Sequence, residues 1–228
     1  LVPLLLASGY AWSITWMVVA GIYLAVIMLA LLSSFSEGEI SSEEDSQAGL
    51  TTEWNSGFIL IGVSLFLFLF AKIALFVWAP QFVEQKFSAS GAESGHFMSN
   101  IFTAAMFGSV AGVYVVSKIN VKYVLYALVV LAMLSTWLFT LAQNIDVMFL
   151  IAFLFGISIS ATYNSYIAFG LSFVKIPNHK HIAYLSLMGG VGSALGPLVS
   201  SKFVEMQSDK GAAITLCFIT YVAVFLIL

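Results

Sequence analysis

Apolar runs of about 18 residues or more recur along the chain, and no other feature restricts its fold as strongly. Each run is long enough to cross a hydrocarbon layer of about 30 Å at a helical rise of about 1.5 Å per residue. Stretches such as Ile59 to Ala71 are apolar on every face, whereas a membrane-barrel strand would alternate apolar and polar over about ten residues. The spanning element is therefore the helix, and the chain reads as an all-α integral membrane protein. Charged residues make up 8% of it. A soluble domain carries about 25% because charge must cover its surface, so a water-soluble fold is excluded.

Read in order, residues 1–8 are too short to span and suit the outer end of a helix, followed by a turn at Gly9 to Ile14. A span is expected at about 15–33. Ser34 to Glu53 then holds six acids, five serines and no lysine, the composition of a solvated linker. Six further spans are expected at about 57–80, 96–117, 122–142, 147–172, 182–203 and 211–228. The domain reading is thus 1–33, an acidic linker at 34–56, and a six-helix bundle at 57–228. Leu1 is not an initiator methionine and Leu228 lies within an apolar run, so the expectation is a fragment. With helices alternating in direction, Lys118, Lys122, Lys175 and Lys180 fall on one side, and Lys86, Lys202 and Lys210 on the other. The lysine excess places the first set, with the acidic linker, in the cytoplasm.

The net charge of −3 and the absence of arginine argue against nucleic acid and against a polybasic lipid-binding surface. The single cysteine, Cys217, allows neither an intrachain disulfide nor a cysteine metal cluster. No metal and no cofactor is expected. The implied partners are membrane lipid and a solute crossing it.

Polar side chains at membrane depth are costly unless they meet water or one another, so they mark the helices that line an aqueous path. The span 147–172 is the richest. Gly156, Ser160 and Asn164 are four apart and predict one shared face, with Tyr163 beside it. In 96–117, His96, Asn100, Thr103 and Phe107 share a second stripe, next to Ala104, Gly108 and Ala111. Two roles are open to Asn100 and Asn164: lining the path, or bridging helices by hydrogen bonds of about 1 kcal/mol. Lys72 is the one charged residue well inside a span. It either faces a cavity, meeting an anion, water or carbonyl oxygens, or snorkels toward the boundary at Trp78 and Pro80. The candidate solute-binding set is Lys72, Asn100, Thr103, Ser160, Tyr163 and Asn164.

The span 182–203 contains GGVGSALGP, with Gly189, Gly192, Gly196 and Pro197 as candidates for helix packing and flexing. No GxxxxGK loop is present, so ATP hydrolysis is not expected. The spans at 15–33 and 211–228 are nearly featureless and, with 122–142, suit lipid-facing positions. Acids are absent from every span, so a proton-coupling carboxylate would have to lie elsewhere in the protein.

Taken together, the stretches WAPQFVEQKFSASGAESGHFMSN (78–100), ISATYNSYIAFGLSFVKIP (159–177) and GGVGSALGPLVSSKFVE (189–205) resemble the major facilitator superfamily, and within it the TsgA-type permeases related to fucose permeases. The resemblance covers nearly the whole chain. It implies the end of helix 5, helix 6, the central loop and a C-terminal bundle of helices 7–12 from a twelve-helix protein, in a bacterial inner membrane. It also implies that helices 7 and 10 line the cavity and that 9 and 12 face lipid. The superfamily's loop signature between helices 8 and 9 survives in part in SKINVK: Lys118 and Lys122 remain, while Ser117 replaces an acid and Asn120 a glycine.

Three functions from different classes follow. The first is a secondary transporter of a small hydrophilic solute, sugar-like by the resemblance. It would work by alternating access with the missing N-terminal half and a coupling proton. The second is a non-transporting structural or assembly protein. The third, a membrane enzyme, lacks the GxSxG, HExxH or paired-acid patterns in its spans, and the chain is not expected to be an enzyme.

Overall fold

A computed structural model of the chain describes residues 12–32 and 54–228. The expected end of helix 5, residues 9–11 of the turn after it, and the acidic stretch 34–53 lie outside the described residues, while residues 12–14 of that expected turn are helical. The chain divides into two units, Leu1–Glu53 and Trp54–Leu228. In the first, helix α1 runs Trp12–Leu32 and has no acid or base in its end turns.

The second unit is a helical bundle. Its elements are α2 (Ser56–Phe87), α3 (Gly91–Lys118), α4 (Val121–Leu141), α5 (Ile145–Ser160), α6 (Thr162–Leu171), α7 (His179–Gln207) and α8 (Gly211–Ile227). Among the described residues, five segments are long and apolar enough to cross a membrane: α2, α3, α4, the α5–α6 pair and α7. The chain is an integral, multi-pass membrane protein. α8, at 17 residues, is apolar throughout.

Short polar caps start these helices by satisfying orphan N–H groups of the first turn. Asn55 accepts from Gly57 N at 3.0 Å, and Asn144 from Val147 N at 2.9 Å. Ser90 and Glu93 form a reciprocal capping box, which is why α3 begins at Gly91 rather than near 96. α2 runs through Pro80 to Phe87, seven residues beyond the expected end. A proline removes one hydrogen bond, to the carbonyl four residues back, and need not end a helix held on its other faces.

The helices alternate in direction. The Trp54 ring lies 5.4 Å from those of His181 and Tyr184, joining the starts of α2 and α7. At the other end, Lys86 Nζ donates to Phe139 O (3.3 Å) and Thr140 O (2.7 Å), so the end of α2 meets the end of α4. α2 is the central element, packed against α7, α8, α3 and α6. Its buried face carries Phe58, Leu65, Phe68 and Leu75, with Phe97, Phe139, Phe155 and Tyr221 arriving from other helices.

The small residues set how closely the helices approach. A Cβ placed on Gly192 would lie 2.2 Å from Phe66 O, and one on Gly196 2.4 Å from Phe70 O. Backbone therefore meets backbone between α2 and α7. The two contacts step by four residues on both helices in the same sense, which is the register of a parallel pair. A second close approach joins α3 to α5, where a Cβ on Gly156 would lie 2.3 Å from Ile101 O.

Candidate functional site

The span expected at 147–172 is not one continuous helix. It breaks at Ala161, whose φ of −101° and ψ of 1° separate α5 from α6. Hydroxyls take up the freed carbonyls: Ser160 Oγ donates to Ile157 O at 2.7 Å, and Thr162 Oγ1 donates to Ser158 O. Such replacement is what permits irregular backbone at membrane depth.

The break and the packing around it divide the face expected for Gly156, Ser160 and Asn164. Gly156 is buried against Ile101 and Ala104. The Ser160 hydroxyl lies 2.6 Å from the position a Cβ on Gly108 would take. Both belong to the α3–α5 contact. Tyr163 and Asn164, past the break, are exposed on the bundle.

On α3, the stripe read from the sequence is continuous. His96, Asn100 and Thr103, with Glu93, Ser99 and Phe149 of α5, line a shallow, open cleft of about 430 Å³. Asn100 Nδ2 donates to Phe149 O at 2.6 Å, so its amide bridges two helices while the residue stays half-buried at the cleft. Thr103 is exposed.

Lys72 lies at the midpoint of α2, because the helix extends to Phe87. It is half-buried. Its Nζ sits 5.7 Å from the centroid of the Phe76 ring, which in turn lies 5.2 Å from the Phe102 ring of α3. One turn earlier, Leu69 shares a contact with Tyr163: both approach the point where a Cβ on Gly189 would stand, at 2.8 Å and 3.6 Å. Lys72, Phe76, Phe102 and Tyr163 thus come from three helices onto neighbouring turns. Among the described residues no carboxylate pairs with Lys72. The acids of the bundle sit at helix ends, where Glu84 accepts from Ser94 Oγ at 2.6 Å and Glu93 from Ser90 N at 2.7 Å.

Other polar residues bind helices together. Ser64 and Tyr166 share a buried hydrogen bond of 2.9 Å between α2 and α6. Trp78 Nε1 donates to Ser200 Oγ at 2.8 Å between α2 and α7, near Pro80 and Pro197 in the same two helices. The sequence suggests Tyr166 and Trp78 as aromatics suited to a sugar, but both bond serines of neighbouring helices, and Tyr166 is fully buried. In the loop remnant, Asn120 caps α4 by accepting from Lys122 N at 2.9 Å, and Ser117 Oγ donates to Tyr114 O at 2.7 Å. Lys118 closes the last turn of α3, where a cation complements the helix dipole.

The chain matches the E. coli fucose:proton symporter FucP with a TM-score of 0.68 at 15% identity, over 93% of this chain and 53% of that one. The chain shares the fold of that symporter over the matched residues. Its curated relatives include a TsgA homolog of Edwardsiella ictaluri, 24% identical over 92% of this chain and 54% of the relative. A TsgA homolog of Yersinia pestis is 21% identical over 98% of this chain and 57% of its own length. The chain is thus similar to TsgA homologs in sequence and to a fucose:proton symporter in fold, and it spans about half the length of the relatives it matches. No family model matches it.

Proposed function

We propose that the whole protein is a secondary active transporter and that this bundle forms one wall of its solute path. The observation that carries the reading is Lys72: a half-buried ammonium at the middle of α2, with a phenyl ring as its nearest partner and no carboxylate among the described residues. A charge at that depth is costly unless water or a bound group reaches it. α2 is longer than the hydrocarbon layer, and toward its C-terminal end its polar stretch begins at Gln81, nine residues or about 13 Å from Lys72 along the axis. That is beyond the reach of a four-carbon stem. An aqueous cavity on this face accounts for Lys72, and Thr103, Tyr163 and Asn164 are exposed.

The solute in this reading is small and hydrophilic. The similar solved structure is that of a fucose:proton symporter, which supports a sugar-like solute and a coupling proton. Alternating access, with two bundles rocking about a site near the midplane, is the mechanism for such folds. The close-packed, parallel α2–α7 pair would move as one piece.

The test is uptake of a panel of labelled sugars and sugar acids into proteoliposomes holding the whole protein, with and without an imposed proton gradient. Accumulation that responds to the gradient is expected. Uptake equal to that of empty liposomes for the entire panel would overturn the reading.

A further inference from the structure

The sign of the charge on the solute follows from the same face. Resting on the transport reading, we propose that the solute carries one negative charge, a carboxylate on a hydrophilic body, and that Lys72 is its counter-charge.

An unfilled pairing at the middle of a span sets Lys72 apart. Lys86 donates to two carbonyls at the end of α4 and lies 5.3 Å from the Phe82 ring, while Lys122 sits over Tyr126 in the first turn of α4. Lys72 has only the Phe76 face at 5.7 Å. A ring face attracts an ammonium but accepts none of its three conventional N–H hydrogen bonds. The described spans offer no anion at its depth, because Glu84, Glu93, Asp146, Glu205 and Asp209 all lie near the ends of α2, α3, α5, α7 and α8.

The rings that line the approach to Lys72 are neutral: Phe76 on its own helix and Phe102 of α3, while Tyr163 and Asn164 of α6 are exposed and uncharged. One cation among neutral groups matches a single carboxylate. A phosphate dianion would call for a second cation, and Lys72 is alone at this depth among the described residues. A neutral sugar would leave the ammonium unpaired each time the cavity closed around it, whereas a sugar acid brings the missing partner with it. Closure would then depend on the solute, since the charge is compensated only when the site is filled. A resident carboxylate from elsewhere in the protein would instead neutralise Lys72 whether or not solute was bound.

The experiment uses the purified whole protein as wild type, Lys72→Met and Lys72→Arg. Thermal unfolding is followed with D-glucuronate, D-galacturonate or D-gluconate, and with D-glucose, D-galactose or L-fucose as neutral controls. At least one sugar acid should raise the wild-type Tm and should do so more than its neutral counterpart. Lys72→Met should weaken that binding by about 10–100-fold, the value of a charge-assisted hydrogen bond, and Lys72→Arg should retain most of it. The ligand-free Tm of Lys72→Met should equal or exceed that of wild type. A lower ligand-free Tm would identify a resident carboxylate and overturn the proposal, as would a panel in which no acid stabilises the wild type. A neutral sugar that stabilises wild type and Lys72→Met alike, and is taken up by both, would overturn the charge assignment and leave the transport reading standing.

Discussion

Replacing Gly192 by alanine should loosen the bundle at its closest helix contact, while the same change two residues earlier should not. A Cβ at 192 would stand 2.2 Å from Phe66 O, 3.0 Å from Phe66 C and 3.1 Å from Phe66 Cα. Carbon and oxygen in ordinary contact lie about 3.3 Å apart, so the deficit is about 1 Å. The obstacle is backbone, with no flexible side chain that could move aside, and relief requires α7 to shift away from α2. Overpacking of this kind costs about 1–3 kcal/mol, or a Tm lower by about 2–12 °C at the usual scaling for a chain of this size. Gly190 has nothing within 4 Å of its Cβ position, and alanine there gains helix propensity of up to about 1 kcal/mol. The assay is thermal unfolding of the whole protein in detergent, comparing Gly192→Ala with Gly190→Ala. Gly196→Ala should resemble Gly192→Ala, and the double variant should lose less than the sum because one displacement relieves both clashes. Equal Tm values for the 190 and 192 variants would refute backbone-to-backbone packing of α2 on α7.

Two further outcomes are expected. Tyr166→Phe leaves the buried Ser64 hydroxyl without its 2.9 Å partner and should cost about 1–2 kcal/mol, measured as a Tm shift, with Ser64→Ala added to the same protein recovering part of it. Lys86→Met removes the cation from the last carbonyls of α4 and should cost about 0.5–1 kcal/mol, a loss that shrinks when wild type and variant are compared at high salt.

The helices themselves were legible because apolar length and a membrane's thickness are directly comparable. Their ends were less so. Pro80 reads as a stop, yet α2 passes it; Ser90 and Glu93 spell a capping box three residues apart, yet the start of α3 reads later when only apolar character is followed. The break at Ala161 carries no proline or glycine, and only the backbone angles there reveal it. The same ambiguity governs the site. Gly192 and Gly196 act in helix contact, as their spacing suggests, but Gly156 and Ser160 look identical in sequence to residues lining a cavity and are packed against α3. Small and polar residues serve both roles, and only the neighbouring helix distinguishes them. Lys72 was legible as an anomaly, while its position at the centre of α2 required the true end of that helix.

The proposal of alternating access is tested most directly at residue 164, which lies just past the break on the exposed side of α6. Asn164→Cys in a Cys217→Ser background of the whole protein, treated with a membrane-impermeant thiol reagent from either side of sealed vesicles, reports which side reaches the site. Alternating access predicts labelling from each side in turn as conditions shift the population between inward-facing and outward-facing states. Protection from both sides under all conditions would contradict it.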